Sequence, residues 1–231
     1  GRPKEFFDAD GVDPAIRSVC EDSLQAAARQ GAEIVDISMP HAEEYAVSTY
    51  YVLATAEASS NLARYDGAHY GHRAPGTENI VDMFSRSRAQ GFGDEVKRRI
   101  MLGTFVLSAE TFDAYYVRAQ KARALIKGDF DRAFGAVDLI AAPASPVAPF
   151  RLGERTGDPL QMYLADIFTL SLNLAGACGL SIPAGYDGDG MPVGLQLWGA
   201  PFEETRLLRG AWAMEQTLGV VHGRRPAQSA F

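Results

Sequence analysis

Two short apolar runs, GLSIPAGY (179–186) and PVGLQLWG (192–199), are separated only by the turn-forming segment DGDGM. Apolar runs of strand length joined by Asp and Gly predict a β-hairpin, and that commits this part of the chain to a sheet. Upstream, VDLIAAP (137–143) reads as a buried strand, and the PASPVAPF that follows is an extended loop, because its prolines forbid helix. The sheet must be covered, and helical signals surround it. In DPAIRSVCEDSLQAAARQ (13–30), Asp13 can cap the free amides and Pro14 fills the first helical position. Ile16, Val19, Cys20, Leu24 and Ala27 then recur at helical spacing, and Gly31 supplies the stop. AEIVDIS (32–38) predicts a strand through Ile34, Val35 and Ile37. A second helix is expected from about His41 to Arg64, followed by the polar loop YDGAHYGHRAPGTE.

From Asp94 to about Lys127 the chain has no proline, and its middle, IMLGTFVLSAETFDAYY, is apolar nearly all round. That pattern predicts one long helix buried in a core. A short helix is expected near 160–177, and FEETRLLRGAWAMEQTLG (202–219) reads as a closing amphipathic helix. Strands mixed with helices give an α/β layer architecture.

The 231 residues are 47% hydrophobic and 22% charged, an ordinary globular composition. No run approaches the roughly 18 apolar residues of a membrane span, and GRPKEFF lacks the apolar stretch of a signal peptide. The chain starts at Gly1 and its first methionine is Met39, so part of a longer protein is expected. A net charge of −7 argues against a surface that grips nucleic acid by its phosphates. The clusters KRR (97–99) and GRR (223–225) read as solvated faces or helix ends. Cys20 and Cys178 read as two reduced thiols of a cytoplasmic protein.

Screening for chemistry removes several classes. His41, His69, His72 and His222 show no metal-ligand spacing, and two cysteines do not make a structural zinc site. GYDGDG (185–190) leads into a strand, so it offers no helix amino terminus to a phosphate. No GxSxG is present. Ser59 and Ser60, in AEASSNLARYDGAHYGHR (56–73), have only Thr55, Ala56, Ala63 and Arg64 at helical neighbour spacing. None of these is a base, so the serines read as packing or backbone-bonding residues.

Five segments occur in a fixed order: EASSNLARYDGAHYG (57–71), GFGDEVKRRIMLGTFVLSAETFDAYYVRAQKAR (91–123), VDLIAAPASPVAPFRLGE (137–154), DPLQMYLADIFTLSLNLAG (158–176) and SIPAGYDGDGMPVGLQLWG (181–199). Together they closely resemble the amidase signature family, and within it the A subunits of the glutamyl-tRNA(Gln)/aspartyl-tRNA(Asn) amidotransferases. The likeness runs over nearly the whole chain. PVGLQLWG is general to the family, whereas EASSNLARYDG with FGDEVKRRIMLGTF points to the A subunits.

The resemblance implies a mixed sheet covered by helices on both sides, with residues 1–231 forming the carboxy-terminal part of a single amidase signature domain. It also implies a glutaminase, in which a Ser–Ser–Lys triad hydrolyses glutamine and the ammonia passes to the B subunit of the complex. That B subunit would hold the tRNA and use ATP and magnesium, so no cofactor is implied on this chain, and a small C subunit would brace the pair. The triad's Gly/Ser-rich segment, of the GGSSGGS type, and its upstream lysine have no counterpart in the 231 residues. No catalytic residue is therefore assigned, and the chain alone is expected to be inactive. What the resemblance carries onto this chain is glutamine binding by Tyr50 in STYYV, Arg99 in KRRI and Asp166 in YLADI. Arginine can grip the α-carboxylate, aspartate can pair with the α-ammonium, and a tyrosine hydroxyl adds a directed bond. From the residues alone, Arg99 is equally a surface cation, Asp166 a helix-end acid and Tyr50 a packing ring, with Tyr51 beside it. Departures from the family pattern fall at His69, Glu110 and Cys178–Gly179, away from these three positions. Two rival functions stand beside this one: a different amidase signature hydrolase acting on small amides, and a non-catalytic scaffold that docks the B subunit.

Overall fold

The computed structural model describes residues 1–8, 11–154 and 165–220. In chain order the elements are β1 (Arg2–Pro3), α1 (Lys4–Phe7), α2 (Pro14–Arg29), β2 (Asp36–Ile37), α3 (Pro40–Asn61) and a 3-10 turn (Leu62–Arg64). Then come α4 (Ile80–Gly91), α5 (Asp94–Val106), a π-helical turn (Asp113–Val117), α6 (Arg118–Phe134) and β3 (Ile140–Pro143). The last are α7 (Ile167–Ala175), β4 (Cys178–Tyr186), β5 (Pro192–Gly199) and α8 (Glu204–Leu218). The chain divides into two compact units, one formed by residues 1–47 and 123–231 and the other by residues 48–122.

The first unit is built on the sheet. β5 lies between β3 and β4 and runs antiparallel to both, with Ile140 opposite Trp198 and Leu180 opposite Leu197. The hairpin closes as its sequence predicts: Asp187 Oδ1 accepts from the amides of Asp189 (2.9 Å) and Met191 (2.8 Å). Such a side-chain turn is the local bond that Asp favours. Pro183, which has no N–H, sits on edge strand β4 beside a register irregularity, where the missing donor costs least. β1 pairs parallel with β2. The Gly1 nitrogen donates to Leu139 O (2.7 Å), and Ala141 N donates to Gly1 O (2.9 Å). These two bonds set Gly1, just ahead of β1, beside β3, while the ladders form two sheets, a parallel pair β1-β2 and an antiparallel β3-β5-β4.

Both faces of the three-stranded sheet are covered within the unit. On one, Leu195, Leu197 and Ile182 pack with Ile16, Cys20 and Leu24 of α2 and with Leu207 and Ala211 of α8. On the other, Trp198 is completely buried between Phe6 (centroids 5.3 Å apart) and Phe130 (5.3 Å). Alternation along β5 sends successive side chains to opposite layers. Gln196 therefore shares the Trp198 face, and its amide accepts from Trp198 Nε1 (2.8 Å) and donates to Pro143 O (2.8 Å) and Phe168 O (2.9 Å). A fully satisfied buried amide of this kind fixes one arrangement of the elements it joins. Asp129 of α6 works similarly at the start of α3, where its buried carboxylate accepts from His41 N (2.7 Å) and Ala42 N (2.9 Å). It does the work of an N-cap from 88 residues away.

The second unit is helical. Asn79 caps α4 by accepting from Val81 N and Asp82 N at 3.0 Å. α5 lies directly on α3 because Gly103 has no side chain: a Cβ there would stand 1.9 Å from the Thr55 carbonyl oxygen. The loop after the 3-10 turn is held by Asp66, which accepts from the amides of Ala68 and His69, both 2.8 Å.

Three expectations need correction. The strand expected over 32–38 shortens to Asp36–Ile37, because its partner β1 is only two residues long and turns into α1 at Lys4. The single helix expected from Asp94 to Lys127 is interrupted after Val106. There the Ser108 hydroxyl donates to Phe105 O (2.9 Å), Thr111 Oγ1 bonds the same carbonyl, and helix gives way to turn. Nor is its apolar middle a core segment, since Met101 (73% exposed) and Phe105 (51%) face outward while Gly103 and Val106 are buried. Helix α4 is an element that the sequence reading does not anticipate, although Asn79 is its visible cap. Of the helix expected at 160–177, the part from 160 to 164 lies outside the described residues. Among the described residues no helix is long and apolar enough to cross a membrane.

Candidate functional site

Arg99 lies on α5 one helical turn before Gly103, in the 48–122 unit. Its Nε donates to Glu95 Oε1 at 2.9 Å, an i,i+4 pair with the acid on the amino-terminal side, which is the favourable order. The side chain is 34% exposed. Glu95 holds the guanidinium above its ordinary pKa, burial opposes this, and a side-chain contact with Tyr50 adds to it. Tyr50 reaches this point from α3, with its ring set edge-on against Tyr51 (centroids 5.4 Å apart, planes at 86°). The approach of α5 to α3 at Gly103 and Thr55 thus lets an arginine fork meet a phenol. Such a pair is suited to an oxygen anion, which the fork recognises through paired donors and the hydroxyl through one.

Asp166 belongs to the other unit, at the N-cap position of α7. Its carbonyl accepts from Thr169 N (3.0 Å) and Thr169 Oγ1 (2.9 Å), but its exposed carboxylate makes no capping bond. It lines a pocket of about 310 Å³ together with Ile16, Ser145, Val147 and Gly194. A carboxylate left out of its own helix cap, at the rim of a small pocket, is placed to receive a cation or an ammonium group. A larger pocket of about 510 Å³, between α2, α8 and β3, is lined mainly by residues such as Leu24, Ala27, Leu139 and Met214.

The remaining candidates are structural. Ser59 Oγ donates to Ala56 O (2.9 Å), as its backbone-bonding reading predicts. His69 Nδ1 pairs with Asp66 (2.8 Å) and His72 Nε2 with Gln90 (2.9 Å), both histidines being exposed. The amide of His69 is the main cause holding the Asp66 carboxyl far below the usual range. Lys97 pairs with Asp94, and Arg98 shares Glu95 with Arg99, so the KRR cluster is a helix flank largely paired with its own acids. His222 and the GRR cluster lie outside the described residues. Among the described residues no group of three or more His, Cys, Asp or Glu is placed to hold a metal ion. Two residues escape the sequence reading. Glu95 is legible from its spacing to Arg99, whereas Ser145 carries no signal, because its role depends on the fold.

The Amidase family profile matches residues 1–208. The A subunit of glutamyl-tRNA(Gln) amidotransferase from Geobacter metallireducens is 55% identical over 94% of this chain and 44% of its own length. The protein of the same description from Heliobacterium modesticaldum is 54% identical over 98% of this chain and 46% of its own length. The chain thus spans a little under half the length of these curated relatives. Among solved structures, the glutamyl-tRNA(Gln) amidotransferase A subunit of Thermotoga maritima superposes with a TM-score of 0.68 at 36% identity, covering 93% of this chain and 41% of that one. A 6-aminohexanoate cyclic dimer hydrolase superposes with a TM-score of 0.72 at 19% identity, covering 98% of this chain and 46% of that one, a likeness of fold alone.

Proposed function

The chain belongs to the amidase family, and from that premise we propose that it is the glutamine-recognition part of the glutaminase component of a tRNA-dependent amidotransferase. In this reading Arg99 and Tyr50 bind the α-carboxylate of glutamine and Asp166 pairs with its α-ammonium. The Ser–Ser–Lys triad would be supplied by sequence other than these 231 residues. It would attack the side-chain amide, and the released ammonia would convert Glu-tRNA(Gln) to Gln-tRNA(Gln), or Asp-tRNA(Asn) to Asn-tRNA(Asn). The B subunit would hold the tRNA, ATP and magnesium, the C subunit would brace the assembly, and the complex would work in the cytoplasm.

The observation that carries this reading is the 55% identity with an amidotransferase A subunit over 94% of the chain. It is supported by the pairing of Arg99 with Glu95 and Tyr50, an anion-binding arrangement that a small neutral amide would not require. Charge-assisted hydrogen bonds are worth about 1.5–3 kcal/mol, so Arg99→Ala in the complete enzyme is expected to raise the KM for glutamine roughly 10- to 150-fold. Hydrolysis of propionamide, which has no α-carboxylate, should hardly change. An unchanged KM for glutamine would sink the assignment, and equal losses on both substrates would favour a general amidase.

A further inference from the structure

The loop from Pro143 to Phe150 contains three prolines without N–H groups, so few backbone bonds are available to fix it. Ala144 N donates to Gly194 O (3.0 Å), and Pro146 O accepts from Asp13 N (2.9 Å). Ser145 adds bonds from one half-buried hydroxyl. Its oxygen accepts from Val147 N (3.3 Å), and its proton lies between two carbonyl acceptors, Val147 O (3.1 Å) and Ala165 O (3.2 Å). The Ala165 bond is the informative one. It crosses 20 residues of sequence and ends on the peptide group that leads directly into Asp166. The Asp166 side chain makes no capping bond, so the backbone that carries it, and with it the Cα–Cβ direction, decides which region its carboxylate can reach. Ser145 and Asp166 line the same pocket.

We propose that Ser145 is a positioning residue for substrate recognition: it fixes the 165–166 peptide so that Asp166 faces the α-ammonium of the substrate. This rests on the glutamine reading of Asp166. Ser145 touches no substrate itself. Its removal lowers discrimination in favour of the ammonium group rather than bond cleavage as such.

The test uses the complete amidotransferase and compares kcat/KM for glutamine with that for 5-amino-5-oxopentanoate, which is glutamine without the α-ammonium. Ser145→Ala should lower the ratio of the two several-fold, and Asp166→Asn should lower it roughly tenfold or more. Ser145→Thr, which keeps the hydroxyl, should restore most of it. If Ser145→Ala does not fold, Ser145→Cys, of similar size but a weaker donor, takes its place. Equal losses on both substrates would show a purely structural serine and overturn the inference. An unchanged ratio in the Ser145 variant beside a collapsed ratio in Asp166→Asn would overturn the inference and leave the glutamine reading standing. An unchanged ratio in Asp166→Asn would overturn both.

Discussion

Glu95 occupies one edge of the Arg99 guanidinium, and this changes what the arginine offers. A fork already anchored at Nε is preorganised and loses less rotamer freedom when it binds an anion. The chain's two thiols differ as sharply. Cys20 is fully buried among the side chains of α2 and the sheet, and burial pushes its thiol from an ordinary 9.0 up to about 12. Cys178 is partly exposed. Iodoacetamide must reach the sulfur to react, so at pH 8.5 the partly exposed Cys178 should label while the buried Cys20 stays unmodified until the protein unfolds. Labelling of both at equal rates, read by mass spectrometry, would contradict the packing around Cys20. The stability linked to the protonated Cys20 thiol is complete below pH 9.0 and is lost as pH rises toward 12.

Helix α5 depends on a missing side chain. Any Cβ at Gly103 meets the Thr55 carbonyl at 1.9 Å, and backbone cannot move aside as a flexible side chain can. Gly103→Ala is therefore expected to cost about 2–3 kcal/mol, read as a shift of the urea midpoint. It should also weaken the glutamine binding proposed above, because Arg99 and Tyr50 meet across the same pair of helices. A variant of unchanged stability would show that α3 and α5 need not pack so closely. The elements legible in the sequence are those whose instructions are local: Asp13 and Pro14 opening α2, and Asp187 closing the β4–β5 turn. Those that mislead depend on distant partners or on competing bonds. The length of β2 is set by β1, and α5 ends where Ser108 and Thr111 hydroxyls compete for a helix carbonyl. The candidate site divides along the same line. Tyr50, Arg99 and Asp166 are nameable only through family resemblance, since nothing in their spacing distinguishes them from packing and surface residues. Ser145 becomes visible only once Ala165 stands beside it.

At the scale of the molecule, the 231 residues account for a little under half of the relatives they match. They contain the proposed recognition residues and no GGSSGGS-type segment. The chain alone is expected to release no ammonia from glutamine above background in a coupled glutamate dehydrogenase assay. Measurable release would place a nucleophile within these residues and overturn the division of labour proposed above. The amidase architecture itself is complete enough to recognise here: an antiparallel sheet β3-β5-β4 with α2 and α8 on one face and Phe6, Phe130 and Phe168 on the other.

The two bonds that hold Gly1 beside β3 carry a kinetic consequence. The β4–β5 hairpin is contiguous in sequence, and structures of that kind form in about 1–10 μs. Gly1 must instead find Leu139 across 138 residues, a loop closure that slows folding of non-local sheets. In pulsed hydrogen exchange during refolding, the β5 amides bonded to β4 should gain protection early. The amide of Ala141, whose acceptor is Gly1, should be among the last. Its protection would time the moment at which the first residues dock beside β3.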